Sequence, residues 1–146
     1  MARRASDTHT LDLFAVPQPA PNLPASMNYR SEVANLVGEV LKEADGDRYE
    51  IASRMSRLAG VEVSKYMLDA WSSEGREAYN MPFYIAPVLE SACHTHALTN
   101  WLADKRGGQL LVGRETLNAE LGKLERLKED ATRKIRDLKK VMEDTA

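Results

Sequence analysis

The chain has 146 residues and a formal net charge of −2, a length suited to one domain with appended segments. Apolar residues make up 43% of the sequence and charged residues 29%, which excludes a wholly disordered protein. The small negative charge also argues against indiscriminate binding to nucleic acid, which depends on clustered lysine and arginine.

No apolar run approaches the roughly 18 residues of a membrane span, and the basic start of the chain is not followed by the apolar core of a signal peptide. Cys93 is the single cysteine, so an internal disulfide is impossible. We therefore expect a cytoplasmic protein with no membrane partner.

Residues 1–26 are predicted to form a disordered, proline-rich arm, because four prolines between Pro17 and Pro24 prevent a helix. Within this arm, Thr10-Leu11-Asp12-Leu13-Phe14 resembles the Leu-Asp-Leu-Phe peptides that dock on the bacterial replication sliding clamp. The resemblance implies that Leu11, Leu13 and Phe14 enter apolar pockets of the clamp. The alternative is that these three side chains cover part of the globular domain.

Residues 27–106 are predicted to form a compact domain of four to five helices, in an all-α protein. Apolar residues recur at helical spacing from Asn28 to Ala44, and a second helical pattern runs from Arg48 to the turn at Gly60. A third helix, about 64–72, begins at Ser64, whose hydroxyl suits the N-cap. The predicted buried residues of the second and third helices are Ile51, Ala52, Met55, Leu58, Ala59, Val63, Met67, Ala70 and Trp71, with Lys65, Leu68, Asp69 and Ser72 outward.

The rest of this domain is predicted to contain two short helices. The first begins near Pro87, since proline is tolerated in the first turn of a helix, and the two helices meet near Thr95. The domain is expected to end at Gly107-Gly108.

Residues 107–146 are predicted to form a long C-terminal coiled-coil helix. Apolar residues alternate at steps of four and three over about four heptads, which is the pattern of a coiled-coil seam. Lys128 suits a two-stranded coil, because its stem packs while its ammonium reaches water. We expect a homodimer, with folding back of this segment onto the globular domain as the alternative. The seam residues are Leu117, Leu121, Leu124, Lys128, Ala131, Ile135, Leu138 and Met142.

The segment from Ser53 to Leu68 resembles the helix-turn-helix of the lambda-repressor and Cro family. A small residue, Ser56, stands four before the turn glycine, Gly60, and Val61 and Ser64 follow at the spacing this family uses. In that motif the small residue lets the helices cross closely, the glycine makes the turn, the apolar residue fills the corner, and the serine caps the recognition helix. Tyr66 departs from the family, which usually has an aliphatic residue there.

The resemblance implies binding to double-stranded DNA, with the third helix in the major groove. Four cations against two carboxylates between Arg48 and Lys65 also allow a local basic patch. The arrangement of arm, helical core and basic-tailed coil is similar in texture to early-region proteins of Mu-like transposable phages. The implied contacts to bases and phosphates are Arg54, Arg57, Ser64, Lys65, Tyr66, Leu68, Asp69 and Arg76.

Catalysis finds little support in the sequence. His94 and His96 lie two apart and project to opposite sides of a helix, and no second ligand pair stands nearby. We therefore expect neither a metal site nor a cofactor nor an enzyme. The main alternative to a DNA-binding regulator is a non-catalytic adaptor that binds proteins through the coiled coil and the clamp-like peptide.

Overall fold

The computed structural model describes residues 16–146, so Leu11, Leu13 and Phe14 lie outside the described residues. The described residues are all helical apart from turns and loops, and they form two compact units, 16–109 and 110–146. The all-helical class and the long C-terminal helix predicted from the sequence are confirmed. The helices are α1 (Arg30–Glu43), α2 (Arg48–Ala59), α3 (Lys65–Trp71), a 3-10 turn (Phe83–Ile85), α4 (Ala86–Cys93), α5 (Ala97–Lys105) and α6 (Arg114–Asp144).

The first unit packs α1 to α5 around one apolar core. Its largest fully buried side chains come from α1, α2, α3 and α4, so each of these four helices contributes to the core. Complete burial of one such side chain stabilises a fold by roughly 1.5–3 kcal/mol. These residues are Val37, Ile51, Met55, Leu68 and Leu89.

Two helices begin with caps that the sequence predicted or allowed. Ser64 accepts a hydrogen bond from the Met67 amide at 3.2 Å, which satisfies a donor that the first turn of α3 leaves free. Pro87 occupies the first turn of α4, as expected for a residue that has no amide hydrogen to lose. The break between α4 and α5 runs from His94 to His96, around the predicted position.

The helical phase of α3 corrects the sequence prediction. Leu68, predicted to face outward, is fully buried, whereas Met67, predicted to be buried, is exposed. The Met67 sulfur lies 3.5 Å from the Ser64 amide, which donates to it. Met67 therefore covers the start of the helix, and Leu68 and Trp71 fill the core in its place.

Two other apolar residues near the turn are also more exposed than predicted. Leu58 is 59% exposed and Val61 is 57% exposed, so Val61 does not fill the corner between the helices. Val63, two residues later, is buried and takes that role. The physical reason is that the chain between Gly60 and Ser64 is not helical, so helical spacing does not decide which of its side chains is buried.

Part of the predicted disordered arm lies against the end of α5. The Ala20 amide donates to the Lys105 carbonyl at 3.0 Å, and Pro19 forms a bridge with Arg106. Gly107 has a φ of +70°, and a Cβ there would lie 2.4 Å from the Pro19 nitrogen. Glycine is therefore required here both by its left-handed backbone and by the close approach of the arm.

The second unit is built on α6, a helix of 31 residues with no buried side chain. It follows Gly113, whose φ of 61° favours glycine. At about 1.5 Å per residue the helix is roughly 46 Å long. Its predicted apolar seam positions, alanine apart, are 55 to 70% exposed.

Candidate nucleic-acid interface

The turn between α2 and α3 is fixed by one serine side chain. Gly60 ends α2 in the left-handed conformation, with a φ of 69°, and its amide bonds to the Ser56 carbonyl. The Ser56 hydroxyl accepts from the Val63 amide at 2.8 Å and donates to the Ala52 carbonyl at 2.8 Å. This side chain therefore connects the last turns of α2 to the residue that precedes the Ser64 cap.

The outward side of α3 carries Lys65, Tyr66 and Asp69. Tyr66 is 77% exposed, and Lys65 and Asp69 are partly exposed. Leu68, one of the predicted DNA contacts, faces the core and is unavailable to any partner. Ser64 is occupied as the cap of the helix.

Asp69 joins α3 to the first turn of α2. Its carboxylate oxygens lie 2.7 Å from the Lys65 ammonium and 2.7 Å from the Arg48 guanidinium. The hydrogen bond from Lys65, assisted by the one from Arg48, lowers the pKa of Asp69 below its ordinary value. Asp69 in turn raises the pKa of Lys65. The three groups form a partly exposed cluster with two positive charges and one negative charge.

Tyr49 extends this surface along α2. The Lys65 ammonium lies 5.7 Å from the centroid of the exposed Tyr49 ring, a distance that allows a cation–π interaction. Arg57 is also exposed and lies about 80° around α2 from Tyr49 by helical geometry. We call Arg48, Tyr49, Arg57, Lys65, Tyr66 and Asp69 the α2–α3 face.

The predicted phosphate contacts do not all belong to this face. Arg54 lies about 140° around α2 from Tyr49, and its guanidinium donates to the Asp45 carbonyl at 2.6 Å. Its positive charge acts on the thiol of Cys93 in α4, where burial is the larger effect and raises the pKa of Cys93. Arg54 therefore lies on the side of α2 that faces α4, and its hydrogen bond to Asp45 stabilises the connection between α1 and α2. Arg76 is exposed in the loop after α3.

The sequence placed Arg48 in a possible basic patch but not among the predicted contacts, and gave no role to Tyr49. A useful signal was present, because Arg48 and Asp69 are opposite charges in helices joined by a single turn. That signal does not fix distance, however, since 21 residues separate the two positions. Only the packing of α2 against α3 brings them together.

The predicted dimerisation residues form a separate surface in the second unit. Leu117, Leu121, Leu124, Ile135, Leu138 and Met142 are exposed along one side of α6. Lys128 and Ala131, the remaining seam positions, are exposed as well. An isolated helix with such a stripe leaves a large apolar surface in water.

An apolar groove of about 390 Å³ lies in the first unit, between the 3-10 turn, α4 and α5. Phe83 and Tyr84 stand at its rim and are exposed. The buried Glu90 carboxylate lines the groove. It accepts two hydrogen bonds from Thr99, one from the amide at 3.1 Å and one from the hydroxyl at 2.6 Å. This carboxylate thus serves the start of α5.

Within residues 16–146 no group of three or more His, Cys, Asp or Glu side chains is arranged to hold a metal ion. Over the same range no helix is both long enough and apolar enough to cross a membrane. Scans against protein-family models, curated proteins and solved structures find no match to this chain.

Proposed function

We propose that this chain is a cytoplasmic DNA-binding regulator that acts as a dimer, with α2, the turn and α3 working as a helix-turn-helix. In this proposal α3 enters the major groove and α6 joins two copies. The observation that carries it is that exposed Tyr66 and partly exposed Lys65 lie on the outward side of a helix whose angle to α2 is fixed through Ser56.

The chemistry of the α2–α3 face suits a nucleic-acid surface. Lys65 and Arg57 supply charge for phosphates, and the exposed phenols of Tyr49 and Tyr66 can donate hydrogen bonds to phosphates or base edges. Leu68 and Trp71, on the buried side of α3, hold this helix rigidly on the core. A rigid helix presents these groups with little loss of conformational entropy on binding.

The charge of one face is modest, which favours a dimer. Arg57, Lys65 and Arg48 contribute three positive charges and Asp69 one negative charge. Each phosphate contact releases counterions, so affinity grows with the number of contacts. Two copies on one duplex would double this number, and the exposed seam of α6 offers a means of joining them.

A binding assay with matched charge variants tests the proposal. The full chain is titrated onto a fluorescent random duplex at low and moderate salt, and binding is expected to weaken steeply as salt rises. Lys65→Glu should reduce affinity at least about tenfold, because one attraction is replaced by a repulsion. Lys42→Glu, at an exposed position of α1, is the matched control and should change affinity much less.

Tyr66→Ala gives a second, independent measurement. We expect it to weaken binding with little change in the salt slope, since the phenol is uncharged. Absence of retention on duplex DNA at any salt, or equal affinities for Lys65→Glu and Lys42→Glu, would contradict the proposal.

A protein-interaction adaptor is the second candidate. The exposed stripe of α6 favours it, because such a seam can also pair with a helix of another protein. The clamp-like peptide at residues 10–14 belongs to this candidate. Retention of the full chain on an immobilised sliding clamp, lost in Leu13→Ala/Phe14→Ala, together with no DNA retention, would favour the adaptor.

A further inference from the structure

The seam of α6 has a chemical asymmetry that distinguishes between orientations of a helical pair. By the steps of four and three, Leu121, Lys128, Ile135 and Met142 occupy heptad position a. The other seam set occupies position d and consists of Leu117, Leu124, Ala131 and Leu138. Seven-residue spacing thus places one long cation and one small residue in adjacent layers at the middle of the helix.

We propose that α6 pairs with α6 of a second copy in antiparallel orientation. This inference rests on the dimer part of the proposed function and adds the geometry of that dimer. The occupant of the exposed seam is therefore the same helix running the opposite way.

The central layers carry the first argument. In a parallel pair, position a meets position a, so Lys128 would face Lys128 of the second copy, and Ala131 would face Ala131. The first layer repels and the second leaves a space. In an antiparallel pair, a meets d, and each Lys128 packs beside an Ala131, where the small side chain leaves room for the lysine stem. The remaining antiparallel layers are Leu121 with Leu138, Leu124 with Ile135, and Leu117 with Met142.

Charges at the edges of the seam carry the second argument. The flanking positions e and g hold Glu120 and Glu125 in the first half of α6, and Lys134 and Lys139 in the second half. A parallel pair brings each g beside the e that follows five residues later on the other chain. It would therefore place Glu120 beside Glu125 and Lys134 beside Lys139, on both sides of the coil.

An antiparallel pair removes these repulsions. With all eight seam layers matched, the first half of one helix lies beside the second half of the other, so acidic flanks approach basic flanks. Each acidic flank then lies one heptad, about 10 Å along the axis, from a basic flank of the other chain, an attraction that acts at low salt. The parallel alternative instead gives four adjacent like-charge pairs. Packing and charge thus favour the same orientation.

The orientation determines where the two chains enter the coil. Each chain enters α6 at Arg114. In the matched antiparallel register the two Arg114 residues are about 46 Å apart along the axis, whereas they would be side by side in a parallel pair. Two DNA-binding units would thus be tethered to opposite ends of a rod.

Disulfide trapping tests the orientation in the full chain. In a Cys93→Ala background, Leu117→Cys and Met142→Cys are made as separate variants, and each is oxidised alone and as a 1:1 mixture. A disulfide needs Cα atoms within about 7 Å, and position 117 lies roughly 37 Å from position 117 of an antiparallel partner. We expect covalent dimers in the mixture only. Efficient covalent dimers of Leu117→Cys alone would overturn the inference.

Charge exchange provides a test that leaves the seam intact. Lys134→Glu/Lys139→Glu makes all four charged flanking positions acidic. In an antiparallel pair this change introduces repulsion between the chains. In a parallel pair it only replaces a lysine–lysine repulsion by a glutamate–glutamate repulsion. We expect the dimer dissociation constant to rise roughly tenfold or more by sedimentation equilibrium at low salt. Adding Glu120→Lys/Glu125→Lys to the same variant should restore it.

The outcomes separate this inference from the proposed function. An unchanged dissociation constant for Lys134→Glu/Lys139→Glu would overturn the antiparallel orientation and leave the dimer standing. A monomer at all concentrations would overturn both the orientation and the dimer. Neither outcome changes the comparison of Lys65→Glu with Lys42→Glu on DNA.

Discussion

The Ser56 hydroxyl accepts a hydrogen bond from the Val63 amide at 2.8 Å, and this bond connects α2 to the residue before α3. Val63 is buried, so its amide has no access to water if the serine is removed. The same hydroxyl donates to the Ala52 carbonyl within α2. One side chain therefore fixes the angle at which α3 leaves the turn.

Replacement of Ser56 by alanine should destabilise the first unit. Loss of the acceptor leaves the Val63 amide unsatisfied, at a cost of about 1–3 kcal/mol. Urea unfolding followed by circular dichroism measures the change, and exposed Ser53→Ala on the same helix is the control. Equal stability of the two variants would show that Val63 does not depend on Ser56.

Replacement of Asp69 by asparagine should strengthen binding to duplex DNA. The substitution removes the negative charge that holds Lys65 and Arg48, so both cations become available to phosphates. The expected result is a higher affinity and a steeper salt dependence in the fluorescence titration. A lower affinity would indicate that Asp69 makes a contact of its own or orients Lys65 for binding.

The same carboxylate makes a pH-dependent contribution to stability. The pKa of Asp69 is lowered in the folded state from its ordinary value of 3.8, so its stabilisation is present above that value and is lost as the pH falls through the lowered pKa. Urea midpoints measured from pH 7 to pH 2 should therefore decline more for the native chain than for Asp69→Asn. Parallel declines would show that the ion pairs do not stabilise the fold.

Replacement of His94 by glycine should stabilise the first unit. His94 ends α4 with φ 53° and ψ 48°, a left-handed conformation that costs a residue with a Cβ about 1 kcal/mol. His96, with a φ of −118°, lies outside that region, so His96→Gly is the control and should give no gain. Thermal or urea unfolding distinguishes the two variants.

Burial of Leu68 can be tested against its neighbour. Leu68→Ala should destabilise by about 2–5 kcal/mol because it leaves a cavity in the core, whereas Met67→Ala should cost much less. The measurement is the free energy of unfolding in urea. The opposite order would restore the helical phase predicted from the sequence.

Much of the fold followed from local chemistry in the sequence. Gly60 permits the left-handed end of α2, Ser64 supplies an acceptor for α3, and Pro87 suits the first turn of α4. These effects involve residues only a few positions apart, so they can be identified without the rest of the molecule. The heptad spacing likewise predicts one long helix.

The candidate site depended on relationships that the sequence does not contain. A helix of seven residues, as α3 is, has only two turns, so apolar periodicity alone leaves its phase open. The sequence therefore assigned Met67 to the core and Leu68 to the DNA. Similarly, it grouped Arg54 with Lys65, although Arg54 bonds to Asp45 and lies on the α4 side of α2, away from the outward side of α3.

By itself, then, the sequence determined where α2 ends and where α3 and α4 begin, because capping, glycine turns and proline act within one or two turns of the backbone. Tertiary structure alone decided that Leu68 is buried, that Arg54 serves the α1–α2 corner, and that Asp69 joins Arg48 to Lys65. The physical reason is that burial and ion pairing across helices depend on distances set by the packing of the whole core.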